Sequence, residues 1–204
     1  MATAKGKKFD PAPPGTHAAI CYAVVDLGTQ IGEYLGVPTE RHQVWIAWEF
    51  PRLIFETEEG EPKPKTISRF LTVSLGDKSN MKPLLEGWRG REFTEEEKEG
   101  FDIQNILEKA CLINVIHDKD GNAKMNAIMP PDEDAKAFMM NHDRTYFSFE
   151  DGGSIPDVVP DGIKKIIMKS VEWNEQGQQD EGLEGPSREP EQGPPLQEKD
   201  NAAF

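Results

Sequence analysis

The stretch Thr66-Ile67-Ser68-Arg69-Phe70-Leu71-Thr72-Val73-Ser74-Leu75, followed past a short polar loop by Asn80-Met81-Lys82-Pro83-Leu84-Leu85-Glu86-Gly87-Trp88, decides how this chain is read. In its first half Ile67, Leu71, Val73 and Leu75 share one face, while Ser68, Phe70, Thr72 and Ser74 share the other. That period of two predicts a strand with one open face. The second half abandons the alternation and predicts a short helix with Ser79 or Asn80 as N-cap. On the N-terminal side, Ala18 to Leu27 predicts a first strand and Gly28 to Arg41 a polar loop. His42 to Phe50 predicts a second strand stopped by Pro51, and Glu56 to Lys65 a charged loop. On the C-terminal side, Thr94 and Glu97 have the spacing of a capping box. Phe101 to Lys109 predicts a further helical piece with Phe101, Ile103, Ile106 and Leu107 inward. Cys111 to His117 and Ala123 to Met129 predict two more strands, joined by the turn Asp118 to Asn122 and ended by Pro130 and Pro131.

Three strands, a helical insertion and two strands is the element order of the OB-fold, a partly open Greek-key barrel. The expected architecture is therefore mainly β: a five-stranded barrel with short helices between strands three and four. Residues 1–16 read as a flexible N-terminal arm and residues 17–131 as the barrel. Residues 132–173 read as an acidic connector carrying one helix near Gly162 to Ser170, whose Ile163, Ile166 and Ile167 form an apolar stripe. Residues 174–204, rich in Pro, Gly, Gln and Glu, read as a disordered acidic tail.

The chain has 204 residues, enough for one ordinary domain plus appendages, and 36% of them are hydrophobic. No apolar run approaches a membrane span, and Met1 to Lys8 lacks the hydrophobic segment of a secretory signal. Cys21 and Cys111 lie in apolar strand-like runs and read as buried thiols. His17, His42, His117 and His142 show no metal-ligand spacing, so neither a metal nor another cofactor is expected. Phosphate-loop, dinucleotide, nucleophile-elbow and zinc-protease motifs are all missing, and no catalytic residue is assigned. Asp118-Lys119-Asp120-Gly121-Asn122 mimics the start of a calcium loop but sits between strands and lacks the distant Glu; it reads as a hairpin turn. The net charge is −14, which argues against a generic nucleic-acid binder. Sign is read locally, however, and a basic groove can lie on an acidic body.

Binding a single strand without sequence readout needs aromatic faces for bases and cations for phosphates. On the second strand, Trp45 has the parity of Gln43, Ala47 and Glu49, whereas Trp48 goes with Val44, Ile46 and Phe50 toward the core. Phe70 lies on the polar face of the third strand, and Tyr22 is the candidate on the first. Arg41, Lys65 and Arg69 supply nearby positive charge. For Trp45 and Phe70, stacking on bases and ordinary packing both remain open.

Several blocks resemble OB-fold single-stranded DNA-binding proteins encoded by phages and prophages. These are Thr72-Val73-Ser74-Leu75, Lys78-Ser79-Asn80, Trp88-Arg89-Gly90-Arg91 with Phe93-Thr94, Pro14 to Ala18, Val25 to Gln30, and Ser170-Val171-Glu172-Trp173. An acidic tail ending Asp200-Asn201-Ala202-Ala203-Phe204 is similar to the tails of such proteins. The resemblance implies a role in phage DNA replication or recombination, with replication proteins recruited through Asp200 and Phe204. Arg89 and Arg91 are open between touching phosphate and capping a helix.

The expected function is that of a non-enzymatic, sequence-independent single-stranded DNA-binding protein of the cytoplasm, the host cytoplasm if phage-encoded. The oligomeric state is left open. An acidic OB-like adaptor or DNA mimic that binds a basic protein is the alternative, and a carboxylate-dependent nuclease a more distant one. The opposed charges of tail and groove suggest that the tail competes with DNA. Removing residues 174–204 is then expected to tighten DNA binding at low salt in a titration, and unchanged or weaker binding would refute the competition.

Overall fold

The structure, a computed structural model, describes residues 10–57 and 59–175. Its strands are β1 (Gly15–Tyr34), β2 (Val37–Glu56), β3 (Pro62–Thr72), β4 (Ala110–His117), β5 (Ala123–Met129) and β6 (Thr145–Phe147). Between β3 and β4 lie α1 (Met81–Arg89), α2 (Glu95–Glu99) and a 3-10 turn (Ile103–Ile106); α3 (Glu133–Lys136) precedes β6 and α4 (Asp161–Ile167) follows it. The chain is mainly β, with one six-stranded sheet ordered β3-β2-β1-β4-β5. β1 is long enough to serve two neighbours on one edge. Gly15 to Ile20 pair with β4, and Ala23 to Val25 pair in parallel with β6. The β3 and β5 edges share no ladder, but Arg69 Nη1 crosses between them to donate to the Met125 carbonyl at 3.3 Å.

The segment expected as a polar loop, Gly28 to Arg41, is instead a two-stranded ribbon in continuous register from Thr29↔His42 to Tyr34↔Val37. Its turn is Leu35-Gly36, with φ of 53° and 79°. Positive φ at both central residues is the turn whose twist suits a hairpin. Ile31, Leu35 and Val37 stand exposed along the ribbon. Elsewhere α1, β4, β5 and α4 fall where the residue pattern puts them. Thr94 and Glu97 form the reciprocal capping box, Thr94 Oγ1 accepting from Glu97 N and Glu97 Oε2 accepting from Thr94 N.

Two cores flank the sheet. The inner one gathers Ile46, Trp48 and Phe50 of β2 with Met81, Leu85 and Trp88 of α1 and Ile113 of β4. The outer one sets Ala23, Val25 and Leu27 of β1 and Trp45 and Ala47 of β2 beneath Phe147, Val159, Ile163 and Ile167. Val44 to Phe50 are therefore buried on both faces. Cys21 and Cys111 are buried, unpaired thiols, and burial pushes both thiol pKa values up. Part of the stretch expected as a flexible arm is held as well. Ala12 is buried, Lys65 Nζ donates to the Asp10 carboxylate at 2.6 Å and to the Asp10 and Pro11 carbonyls, and His117 Nε2 bonds the Ala12 carbonyl.

A polar clasp ties the end of the described chain to the ribbon's base. Glu172 accepts from Thr29 N at 2.6 Å and from Thr29 Oγ1 at 2.7 Å, and His42 lies between Asp26 (2.7 Å) and Glu172 (3.5 Å). The Asp26 bond is the main cause that lifts the His42 pKa above 6.5. A raised folded value means that His42 contributes stability fully below pH 6.5 and loses it as pH rises through that value. An NMR titration should place the His42 imidazole above 6.5 and bring it back toward 6.5 in Asp26→Asn; a wild-type value at or below 6.5 would contradict the clasp. Gly28 sits in this clasp at φ 65°, where an added Cβ would lie 2.6 Å from Glu172 Oε2 and 2.7 Å from Ser170 Cβ. Gly28→Ala is expected to cost about 2 kcal/mol or more, from left-handed strain plus overpacking. A urea midpoint unchanged from wild type would show that the clasp yields freely.

Candidate nucleic-acid interface

The outer face of β2 and β3 carries paired residues in the order Gln43↔Thr72, Trp45↔Phe70, Ala47↔Ser68 and Glu49↔Thr66. Only one end of that face is open. Phe70 is 51% exposed, whereas Trp45, its cross-strand partner, is 6% exposed. The difference comes from the cover: Phe147 and α4 lie over Trp45 and stop short of Phe70. Beyond Phe70 the face runs into a groove of about 730 Å³ lined by Arg41, Gln43, Arg69, Phe70, Lys78 and Asn80, among others. Arg41 and Lys78 are exposed and make no ion pair among the described residues. Asp77 is the acid of the groove, and Lys82 Nζ answers it at 2.8 Å. That bond is the first cause that lowers the Asp77 pKa. The groove thus joins an aromatic ring to a cluster of cations and amide groups, the combination that a stacked base and its phosphates require.

Among the expected site residues, the structure brings Arg41, Arg69 and Phe70 together and places the others elsewhere. The expectation for Trp45 is corrected: its ring is packed in the outer core and offers no face to a base. Tyr22 is half-buried, stacked on His142 with ring centres 4.5 Å apart and set edge-on to Trp45 at 6.5 Å. Burial pushes the Tyr22 hydroxyl up to about 12. Lys65 is corrected too, because its buried ammonium is consumed by Asp10 and Pro11 and is not presented to a phosphate. Arg89 and Arg91 lie outside the groove and both pair with Glu97 at 2.6 Å. Arg91, then the Thr94 N–H, then Arg89 hold the Glu97 carboxyl down at about 2. Asp200 and Phe204 lie outside the described residues. Gln43, Lys78 and Asn80 are groove residues that sequence reasoning missed as contacts; the polar run Gly76 to Asn80 directly after the open-faced strand was their signal.

The covering segment is anchored by a buried carboxylate. Glu49 is fully buried and accepts from Asn141 N (2.7 Å), Asn141 Nδ2 (3.1 Å), His142 N (2.8 Å) and His142 Nδ1 (2.6 Å). Burial raises its pKa, but the bonds from His142 and Asn141 more than offset that, and the net value falls below 4.5. No described helix is long and apolar enough to cross a membrane. Comparison with known proteins finds no family model that matches the chain and no curated protein that matches it.

Proposed function

We propose that this protein binds single-stranded DNA without reading its sequence, through the groove at the open end of the β2–β3 face. The observation that carries the proposal is the juxtaposition of the exposed Phe70 ring with Arg41, Arg69 and Lys78 in one groove. Bases stack on Phe70 while the cations meet phosphates and release their counterions. The strand order, the helical insertion between β3 and β4 and the approach of β3 to β5 support an OB-type barrel, left open where Arg69 bridges the edges. A role in replication or recombination, with partners recruited through Asp200 and Phe204, extends the same reading. An oligonucleotide carrying 5-iododeoxyuridine tests the site. Irradiation should cross-link it to Phe70, and cross-links confined to other surfaces would reject the groove.

The charge of −14 favours a second reading, an acidic adaptor that binds a basic protein and leaves DNA alone. On that reading Phe70→Ala leaves binding to any basic partner unchanged and no oligonucleotide binds at low salt.

A further inference from the structure

The tip of the β1–β2 ribbon is an apolar projection. Leu35 is 86% exposed, and Ile31 and Val37 beside it are exposed as well. Leu35 also holds φ 53°, a left-handed turn position that suits Gly, Asn or Asp and is costly for a bulky apolar residue. In a lone chain an exposed Leu at that place is disfavoured twice, by its backbone and by water. The register sets Ile31 opposite Glu40 and Glu33 opposite Pro38, and residues two apart or directly opposite share a face of a ribbon. That face therefore joins Ile31 to two acids, Glu33 and Glu40, which are exposed and make no ion pair among the described residues. Arg41 belongs to the other face and lines the groove.

An open hollow of about 650 Å³ lies away from the groove, beside α1 and the chain that follows β5. Leu85, Trp88 and Ile106 are buried at its base, and Phe101 and Phe138 are half-buried on its sides. The acids on its wall are already engaged, Glu97 by Arg89 and Arg91 and Glu108 by Arg144 at 3.4 Å. Of its cations, Lys136 is answered by Glu133 at 2.7 Å, whereas Lys109 is exposed and makes no ion pair among the described residues. An apolar floor with an unanswered cation is the complement of an apolar projection that carries unanswered acids. We propose that the ribbon tip of one copy of this chain docks in the α1 hollow of a second copy, Leu35 and Ile31 against the apolar floor and Glu33 and Glu40 toward Lys109. Ile20 of the hollow and Tyr34 of the ribbon lie toward opposite ends of β1, so the contact is made between copies. Its two surfaces differ, which leaves a free tip at one end and a free hollow at the other and builds open chains, not a closed pair. A hairpin tip buries less than a standard interface, so the association is weak and shows itself at high protein concentration. The proposal is independent of DNA binding.

The test is sedimentation of the full chain without DNA, from about 10 μM to about 1 mM protein at roughly 150 mM salt. The weight-average mass should climb with concentration and show no plateau at the dimer. Leu35→Asn combined with Ile31→Thr suits both the turn and the strand, so it should keep the urea midpoint and weaken association about tenfold or more. Lys109→Glu, a change at an exposed position, should weaken it similarly by placing like charges together. Mixing the two variants should restore association but stop it at a pair, since one supplies only the hollow and the other only the tip. A wild-type chain that stays at monomer mass throughout would overturn the proposal, and so would a ribbon variant that associates like wild type. A mixture no heavier than its separate components, when wild type does associate, would overturn the pairing of tip with hollow.

Discussion

Glu49→Ala should lower the folding stability by about 3 kcal/mol or more, one of the largest losses available from a single polar side chain in this protein. The wild-type carboxylate is fully buried and takes four hydrogen bonds from Asn141 and His142. Removing it leaves two backbone N–H groups without acceptors, each costing about 1–3 kcal/mol if it stays dry. The consequence is not confined to Glu49. Residues 141–142 lead directly into β6, whose Phe147 covers Trp45. Hydrogen exchange in Glu49→Ala should therefore quicken across residues 141–149 ahead of global unfolding. Urea unfolding supplies the stability, and a loss below about 1 kcal/mol would mean that water replaces the carboxylate. The pH dependence has a defined sign. Because the folded pKa of Glu49 lies below 4.5, its contribution is present above pH 4.5 and is lost as pH falls through the folded value. Glu49→Gln should flatten that part of the acid limb.

Phe70→Ala should weaken binding to oligo-dT by about 1–3 kcal/mol, roughly five- to 150-fold, the range for one stacked base. Because Phe70 is half exposed and belongs to neither core, its urea midpoint should stay close to wild type, separating lost contact from lost fold. Arg41→Ala should act differently. On the proposed reading Arg41 neutralises a phosphate without stacking, so its loss should make the salt dependence of log K shallower by about 0.7 for a single strand. Phe70→Ala should leave the salt slope as it was. Affinity within about twofold of wild type in Phe70→Ala would remove the ring from the site.

The elements read most easily from sequence were those whose signals are local. Ala123 to Met129 emerged with its limits intact because Pro130 ends it and the Asp118 turn begins it. Thr94 and Glu97 announced their capping box three residues apart. The ribbon from Gly28 to Arg41 was hidden for the opposite reason. It is held by its own ladder, shows solvent on both faces, and so carries no apolar alternation, while Gly28, Gly32, Gly36 and Pro38 mimic a loop. β6 is three residues long and depends on β1, far away in sequence.

Trp45, open from the sequence between stacking on a base and ordinary packing, is packed in the outer core. Its companions Gln43 and Glu49 are polar, which suggests an open face, yet Glu49 is satisfied by Asn141 and His142 and the ring is roofed by α4. The near-continuous run Val44-Trp45-Ile46-Ala47-Trp48 carried the better signal, since a strand buried on both sides loses its alternation. The exposure of Phe70 was legible because β3 does alternate and one of its faces is open at that end, whereas Arg69, on the opposite face, reaches the Met125 carbonyl of β5. Lys65 looked available because nothing in its neighbourhood reveals that Asp10 will reach it.

The most direct test of the proposed function is fluorescence anisotropy of labelled oligo-dT, set against a duplex of equal length at about 50 and 200 mM salt. The groove predicts clear preference for the single strand and an affinity that falls roughly tenfold or more with the added salt, as expected for two or three neutralised phosphates. No binding to oligo-dT at the lower salt, with residues 174–204 present or removed, would contradict DNA binding and leave the acidic adaptor in its place.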